Sequence, residues 1–117
     1  MNQISSNNEV KEISVDELHE KINNNDDFVL IDVRRDEEYN LSNISNARHI
    51  PLDQLQDHIK SLDNSKEYVM QCRSGGRSAK ATLMLQHEGF NNVSNLKGGL
   101  IEWSEKILIW KSCFCNH

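Results

Sequence analysis

Proline, glycine and cysteine are scarce in this chain of 117 residues, which contains one proline, five glycines and three cysteines. An odd and small number of cysteines does not suit a disulfide scaffold, so we expect reduced thiols. The longest apolar run, residues 107–110, is far shorter than the roughly 20 residues that cross a bilayer. The first eight residues lack the charged-then-apolar pattern of a secretory signal. These absences predict a cytoplasmic protein that does not insert into a membrane.

Positive charge is in the minority, with 13 Lys and Arg against 18 Asp and Glu and a formal net charge of −5. This balance argues against nucleic-acid binding through bulk electrostatics, although a local basic site stays open. The length suits a single domain with one hydrophobic core. We predict a flexible tail over residues 1–8, a domain over residues 9–106, and an extension over residues 107–117 that carries Cys113 and Cys115.

Apolar runs and helical patterns alternate along the predicted domain. Apolar runs predict strands over residues 28–31 and 68–71, and an alternating pattern predicts a short strand over residues 9–13. Residues 47–50 and 93–96 are interpreted as two further short strands. Helical spacing predicts helices that begin near Ser14, Arg35, Pro51, Ser78 and Gly99. Ser14 and Glu17 form a capping-box pair, and Gly89 is placed to end a helix. The alternation predicts an α/β fold with a largely parallel sheet, in which ligands bind at the carboxyl ends of the strands.

The most informative segment is the loop Cys72-Arg73-Ser74-Gly75-Gly76-Arg77-Ser78, between a predicted strand and a predicted helix. The N–H groups at a helix N-terminus and two guanidinium groups favour a thiolate over a thiol, whose free pKa is about 8.5. Gly75 and Gly76 allow backbone conformations that turn the amides inward. The loop therefore predicts an anion cradle with Cys72 as its nucleophile.

The same loop has a purely structural interpretation. Cys72 would then be an inert buried thiol in a turn, and the arginines would be solvated surface charge, as most arginines are. Both arginines lie within five residues of the cysteine and among glycines. That placement favours the functional interpretation.

Three segments carry a longer pattern. The first is Leu30-Ile31-Asp32-Val33-Arg34, followed by Glu37-Glu38-Tyr39 and by residues 44–51; the second is the Cys72 loop; the third is Leu96-Lys97-Gly98-Gly99-Leu100-Ile101-Glu102-Trp103. Together they resemble the single-domain rhodaneses, a family of sulfurtransferases, over nearly the whole chain. The resemblance implies a rhodanese-like α/β fold, with a largely parallel central sheet and helices on both faces.

One segment departs from the family pattern. Where the family has Gly-His-Ile-x-Gly-Ala, this chain has Ser42-Asn43-Ile44-Ser45-Asn46-Ala47, without the histidine or either glycine. Because asparagine adopts left-handed conformations more readily than most residues, we expect the turn to survive.

The resemblance implies a two-step sulfur transfer that needs no cofactor and no metal. Cys72 is expected to take a sulfane sulfur from a donor such as thiosulfate or a protein persulfide, and to pass it to cyanide or a thiol. The expected substrate-binding residues follow it in the loop: Arg73, Ser74, Gly75, Gly76, Arg77 and Ser78. Arg73 and Arg77 are the candidates for holding an anionic donor, because a guanidinium fork suits such oxygens.

Three further residues are expected to support the loop. By the resemblance, Asp32, Arg34 and Glu38 cluster near it, and a carboxylate paired with Arg77 would fix its shape. A structural role is favoured for Asp32 and Glu38, whereas Arg34 is left open between steering substrate and forming a salt bridge. His49 is expected to pack or to lie on the surface.

Two other functions are considered. A cysteine phosphatase or arsenate reductase needs an arginine six residues after its cysteine, whereas Arg77 lies five residues after Cys72 and Ser78 lies at six. The second of these functions is a sulfur-relay or partner-binding module without thiosulfate activity. Pure binding modules typically lose the cysteine, which this chain keeps. The expected partners are a small anionic sulfur donor and a thiol acceptor, with a protein persulfide donor left open, and neither nucleic acid nor membrane.

The end of the chain carries Cys113, Cys115 and His117, which are too few ligands for a convincing metal site. The two thiols either take sulfur from Cys72, or form a disulfide with it, or play no part in the chemistry, and the last is favoured. Residues 107–110 are expected to cover an apolar patch on this domain or on a second copy.

Overall fold

Within the residues that the structure describes, five strands form one sheet in which every strand pair is parallel. The structure, a computed structural model, describes residues 9–115, with side chains described through residue 107. The strands are β1 (Glu12–Ile13), β2 (Val29–Asp32), β3 (Arg48–His49), β4 (Tyr68–Gln71) and β5 (Val93–Leu96), in the spatial order β1-β5-β4-β2-β3. The helices are α1 (Val15–Asn23), α2 (Asp36–Leu41), α3 (Leu52–His58), which continues into a 3-10 turn at Ile59–Ser61, α4 (Gly76–His87) and α5 (Gly99–Cys115).

The central strands β2 and β4 are apolar on both faces because helices cover both faces of the sheet. Leu30 and Val69 are paired in register and face one core cluster, which α1 and α5 complete. Ile31 and Met70, the next register pair, face a second cluster that α3 and α4 complete. The predicted α/β fold with helices on both faces is thereby confirmed.

Several local signals act as expected. Ser14 Oγ accepts the Glu17 N–H and the Glu17 carboxylate accepts the Ser14 N–H, so the predicted capping box begins α1. Gly89 has φ +92° just after α4, in the left-handed region that favours glycine. Asn46 has φ +73°, so an asparagine does provide the left-handed turn expected in the departing segment.

Several boundaries of strands and helices differ from those predicted. Strand β1 is limited to Glu12–Ile13, because only these residues pair with the neighbouring edge of β5. Helix α4 begins at Gly76 rather than near Ser78, because Gly75, with φ +107°, turns the backbone directly into it. Helix α5 runs through Cys115, so the predicted domain boundary at residue 106 falls inside a helix and stays a prediction.

The parallel arrangement brings the ends of several strands to one edge of the sheet. Asp32 ends β2, Cys72 follows β4, and Gly98 follows β5 after one residue. This edge holds the cysteine loop and the N-termini of α4 and α5. None of the helices within residues 9–115 is long and apolar enough to span a membrane.

Candidate active site

Cys72 lies at the bottom of a ring of hydrogen-bond donors. Its residue is 1 % exposed, and its Sγ lies 3.1 Å from the Gly75 backbone N, 3.3 Å from the Ser78 backbone N and 3.3 Å from Ser78 Oγ. Two N–H groups and one hydroxyl therefore converge on one sulfur atom. Such a set of donors solvates a negative charge in place of water.

The environment of Cys72 acts on its pKa in two opposite directions. Burial raises the pKa of the thiol, whereas hydrogen bonds from the Ser78 hydroxyl and from the N–H groups of Ser78, Gly75 and Ser74 lower it. The hydrogen bonds prevail, so the pKa of Cys72 lies below its ordinary value. A thiol whose pKa is lowered in this way is more reactive than an inert buried thiol.

The N-terminus of α5 binds the opposite side of the loop. The Leu100 N–H donates to the Cys72 carbonyl at 2.9 Å, and the Ile101 N–H donates to the Arg73 carbonyl at 3.0 Å. This close approach requires Gly99, because a Cβ there would lie 2.6 Å from the Cys72 oxygen and 2.5 Å from the Arg73 oxygen. Helix α5 therefore holds the loop carbonyls away from the sulfur.

Of the two loop glycines, Gly75 alone has a positive φ. Gly76 is the first residue of α4, and a Cβ there would meet nothing within 4 Å. The expectation that both glycines provide unusual backbone conformations is therefore correct for Gly75 and wrong for Gly76.

Arg77 forms a two-pronged ion pair with Glu38. Its Nη1 lies 2.7 Å from Glu38 Oε1 and its Nη2 lies 3.0 Å from Glu38 Oε2. The hydrogen bonds from Arg77 lower the pKa of Glu38 to about 2, and the same pairing raises the pKa of Arg77. The expected carboxylate partner of Arg77 is thus Glu38, which joins α2 to the first turn of α4.

Asp32 and Arg34 form a second ion pair, and both residues are buried. Arg34 Nη2 lies 2.7 Å from Asp32 Oδ2, and Arg34 Nε lies 2.9 Å from Asp32 Oδ1. The guanidinium also donates to the backbone carbonyls of Glu38 and Ser42, at 3.2 and 2.6 Å. Asp32 and Arg34 therefore fix helix α2, and α2 in turn presents Glu38 to the loop.

The remaining loop side chains face solvent. Arg73 and Ser74 are exposed, and within residues 9–107 Arg73 makes no ion pair. Arg73 borders a cleft with a volume of about 570 Å³, beside Leu41, Leu100 and Ile101. Glu38 and Glu105 line the same cleft, so any attraction of an anion there is local to the unpaired Arg73.

Two residues at the site were not predicted from the sequence. Asn95 Oδ1 lies 2.5 Å from Ser78 Oγ, and Asn95 Nδ2 lies 3.3 Å from Glu12 Oε2. The available signal was an asparagine inside the apolar strand β5, close to its carboxyl end. His49, by contrast, packs as expected, stacked on Tyr39 with ring centroids 4.2 Å apart.

No cluster of side chains suited to a metal ion occurs within the part of the chain whose side chains are described. Cys113 and Cys115 fall in the last turn of α5, but their side chains lie outside that part. Ile107 is buried in the core cluster that α1 and α5 complete, as expected for a residue that covers an apolar patch on this domain. The expectations for the two thiols and for residues 108–110 remain predictions.

Comparison with known proteins finds one family model and several curated relatives that match this chain. The model of the rhodanese-like domain family matches residues 14–106. A Bacillus subtilis (strain 168) protein named "Putative sulfurtransferase YtwF" is 43 % identical over 95 residues, which cover 81 % of this chain and 91 % of that protein. Another from the same organism, "Putative sulfur carrier protein YrkF", is 32 % identical over 83 % of this chain and 52 % of its own length.

A solved structure has the same fold. The rhodanese-like domain protein from Staphylococcus aureus superposes with a TM-score of 0.76 at 35 % identity, over 80 % of this chain and 91 % of that one. The family match contains every candidate site residue that the sequence suggested, from Asp32 to Ser78.

Proposed function

This chain belongs to the rhodanese-like domain family, and we propose that it is a sulfurtransferase that carries a sulfane sulfur on Cys72 as a persulfide. The observation that carries the proposal is the ring of donors around Cys72 Sγ, with two N–H groups and one hydroxyl at 3.1 to 3.3 Å. Such a ring stabilises a thiolate before transfer and an anionic persulfide after it.

In the first step, the Cys72 thiolate attacks the outer sulfur of a donor. With thiosulfate, a bond forms between Cys72 Sγ and that sulfur, the sulfur–sulfur bond of thiosulfate breaks, and its electron pair leaves with sulfite. The lowered pKa of Cys72 favours ionisation of the attacking group, so no residue is assigned as a general base.

In the second step, a thiophile such as cyanide or a thiolate attacks the outer sulfur of the persulfide. The bond between Cys72 Sγ and the outer sulfur breaks, and its electron pair returns to Cys72 as the thiolate. The loop donors stabilise this leaving thiolate, so the same contacts serve both half-reactions.

The donor is expected to be an anion that approaches along the cleft beside Arg73. Arg73 is exposed and makes no ion pair within the residues whose side chains are described, so its guanidinium is available to oxyanions. Arg77 is committed to Glu38 through both terminal nitrogens. We therefore assign donor binding mainly to Arg73, and to Arg77 a role in holding the first turn of α4 beside the sulfur.

A sulfur relay is the second candidate, in which a protein persulfide replaces thiosulfate as the donor. The resemblance to a relative named as a sulfur carrier protein supports it. Exposed Leu41 and Ile101 border the same cleft as Arg73 and would suit a protein surface better than a small anion. The two candidates share the Cys72 chemistry and differ only in the donor.

The test is thiocyanate production from thiosulfate and cyanide, together with the intact mass of the protein after exposure to each donor. Wild type is compared with Cys72→Ser and, as the matched control among cysteines, with a Cys113→Ser/Cys115→Ser double variant. We expect thiocyanate and a persulfide gain of about 32 Da in wild type and in the double variant, and neither in Cys72→Ser.

The other outcomes are equally informative. Persulfide formation from a cysteine persulfide donor, without turnover of thiosulfate, would replace the thiosulfate proposal with the relay. Activity halved in the double variant would bring the C-terminal thiols into the mechanism. Absence of a persulfide from every donor would refute sulfur transfer, and hydrolysis of an aryl phosphate that depends on Cys72 would favour the phosphatase alternative.

A further inference from the structure

The hydroxyl of Ser78 lies between two acceptors but has one proton to donate. Its Oγ is 3.3 Å from Cys72 Sγ and 2.5 Å from Asn95 Oδ1. All three residues are at most 2 % exposed, so water does not relieve the competition. The proton can stabilise the sulfur or the amide oxygen at one time, not both.

The two protonation states of Cys72 use this hydroxyl differently. A neutral thiol can donate its S–H to Ser78 Oγ while the Ser78 hydroxyl donates to Asn95 Oδ1, so every polar atom has a partner. A thiolate has no proton and needs the hydroxyl to turn towards it, which leaves Asn95 Oδ1 without its donor. Asn95 therefore favours the thiol and opposes the thiolate.

Glu12 keeps Asn95 in the competing orientation. Asn95 Nδ2 lies 3.3 Å from Glu12 Oε2, and the Asn95 backbone N–H donates to the Lys11 carbonyl at 2.8 Å. A flipped amide would direct its N–H₂ group towards Ser78 and remove the competition. The flip would also bring the amide oxygen against the Glu12 carboxylate, and the two acceptors would repel each other.

We propose that Asn95, oriented by Glu12, is a positioning residue that competes with Cys72 for the hydroxyl proton of Ser78 and so limits how readily the thiolate forms. A limit of this kind is useful to a nucleophile, because the nucleophilicity of a thiolate falls as its pKa falls. The inference uses the proposed function only in taking Cys72 as the reacting thiol.

Two charged groups near the sulfur are balanced by partners of their own, whereas Arg73, the next residue in the loop, is exposed and makes no ion pair within residues 9–107. Arg77 acts on Cys72 electrostatically from α4 and is paired with Glu38 from α2. Asp32, at the end of β2, is paired with Arg34. Changes at Asn95 leave both ion pairs in place, so a change in the pKa of Cys72 would report the shared hydroxyl.

The experiment is a titration of the Cys72 thiolate by its ultraviolet absorbance and by its rate of alkylation. It uses the full chain in the Cys113→Ser/Cys115→Ser background and no sulfur donor. Asn95→Leu removes the competing acceptor and is expected to lower the pKa of Cys72 by about one unit. Asn95→Asp places a carboxylate there and is expected to raise it by a similar amount.

Ser78→Ala supplies the decisive control. It removes the shared proton and is expected to raise the pKa of Cys72, and in its background Asn95→Leu is expected to have no further effect. The rise in Asn95→Asp includes a direct effect of the added charge. The fall in Asn95→Leu, and its disappearance without the Ser78 hydroxyl, are the results that a merely structural asparagine would not give. An unchanged or raised pKa in Asn95→Leu, or a full effect that persists without the Ser78 hydroxyl, would overturn the inference.

Glu12→Gln tests the same chain of hydrogen bonds at an exposed position, where folding is not at risk. The neutral amide permits the Asn95 flip, so the pKa of Cys72 is expected to fall. Loss of a negative charge also lowers the pKa directly, and this part persists in the Ser78→Ala background. A decrease of equal size in both backgrounds would refute the orienting role of Glu12. Because no donor is present, these outcomes are independent of whether sulfur transfer occurs.

Discussion

Replacement of Gly99 by alanine places a methyl group against the backbone of the cysteine loop. The added Cβ lies 2.5 Å from the Arg73 oxygen, and ordinary contact begins at 3.4 Å, so the loop must retreat by about 0.9 Å. That movement stretches the hydrogen bonds from Leu100 and Ile101, now 2.9 and 3.0 Å, beyond hydrogen-bonding distance. Gly99 also has φ +59°, where a residue with a Cβ is strained.

The magnitude follows from these two effects. The left-handed backbone costs about 1 to 2 kcal/mol in a residue other than glycine. Each lost backbone hydrogen bond costs about 1 kcal/mol. We therefore expect Gly99→Ala to lower the free energy of unfolding by about 3 to 4 kcal/mol. The pKa of Cys72 is expected to rise at the same time, because the displaced loop no longer directs its amides at the sulfur.

Substitutions at two other glycines separate the cost of backbone strain from the cost of the lost hydrogen bonds. The unfolding free energy of each variant is measured by urea denaturation followed by circular dichroism. Gly89 has φ +92° but an added Cβ meets nothing within 4 Å, so Gly89→Ala should cost only the backbone term, about 1 to 2 kcal/mol. Gly76 has neither constraint, and Gly76→Ala should be neutral or stabilising by up to about 1 kcal/mol. Equal losses for Gly99→Ala and Gly89→Ala would refute the close approach of α5 to the loop.

Two further predictions concern buried or paired polar groups. Glu38→Gln removes the ion pair with Arg77 and should lower the free energy of unfolding by about 1 kcal/mol at pH 7, since solvent screens this partly exposed pair. The pKa of Glu38 in the folded protein, about 2, lies below its ordinary 4.5, so the ion pair is lost as the pH falls from 4.5 to about 2. The difference in unfolding free energy between wild type and variant should vanish over the same range, and a difference that does not change would contradict the pairing. Gln71 is fully buried, and within the described residues neither polar atom of its side chain has a hydrogen-bond partner. Gln71→Met should therefore leave the unfolding free energy unchanged or raise it by about 1 kcal/mol, and a clear loss of stability would contradict this.

The sequence was sufficient for the features that depend on neighbouring residues. The apolar runs of β2 and β4 are continuous because both faces of these strands are buried, and such runs are visible in one dimension. The capping box at Ser14 and the turn at Gly89 depend on residues three or four apart. The cysteine loop is likewise a contiguous segment, so its donors could be expected before its geometry was known.

The contacts that were not predicted join segments far apart in the chain. The pairing of Asn95 with Glu12 spans 83 residues. The pairing of Glu38 with Arg77 spans 39 residues and was expected only through the family resemblance. Strand register decides such contacts: β1 pairs with β5 so that Glu12 lies beside Asn95. No local pattern contains that register. The different roles of Gly75 and Gly76 were hidden for another reason, because adjacent glycines look alike until the backbone dihedrals are known.

The geometry of one peptide group explains why α5 belongs to the chemistry of the loop. A trans peptide directs its C=O and its N–H in opposite directions. The Arg73 carbonyl accepts the Ile101 N–H, so the Ser74 N–H of the same peptide group must face away from α5. That N–H is among the donors that lower the pKa of Cys72. The amides can therefore converge on the sulfur because α5 binds the carbonyls behind them, and this requires a residue without a Cβ at Gly99.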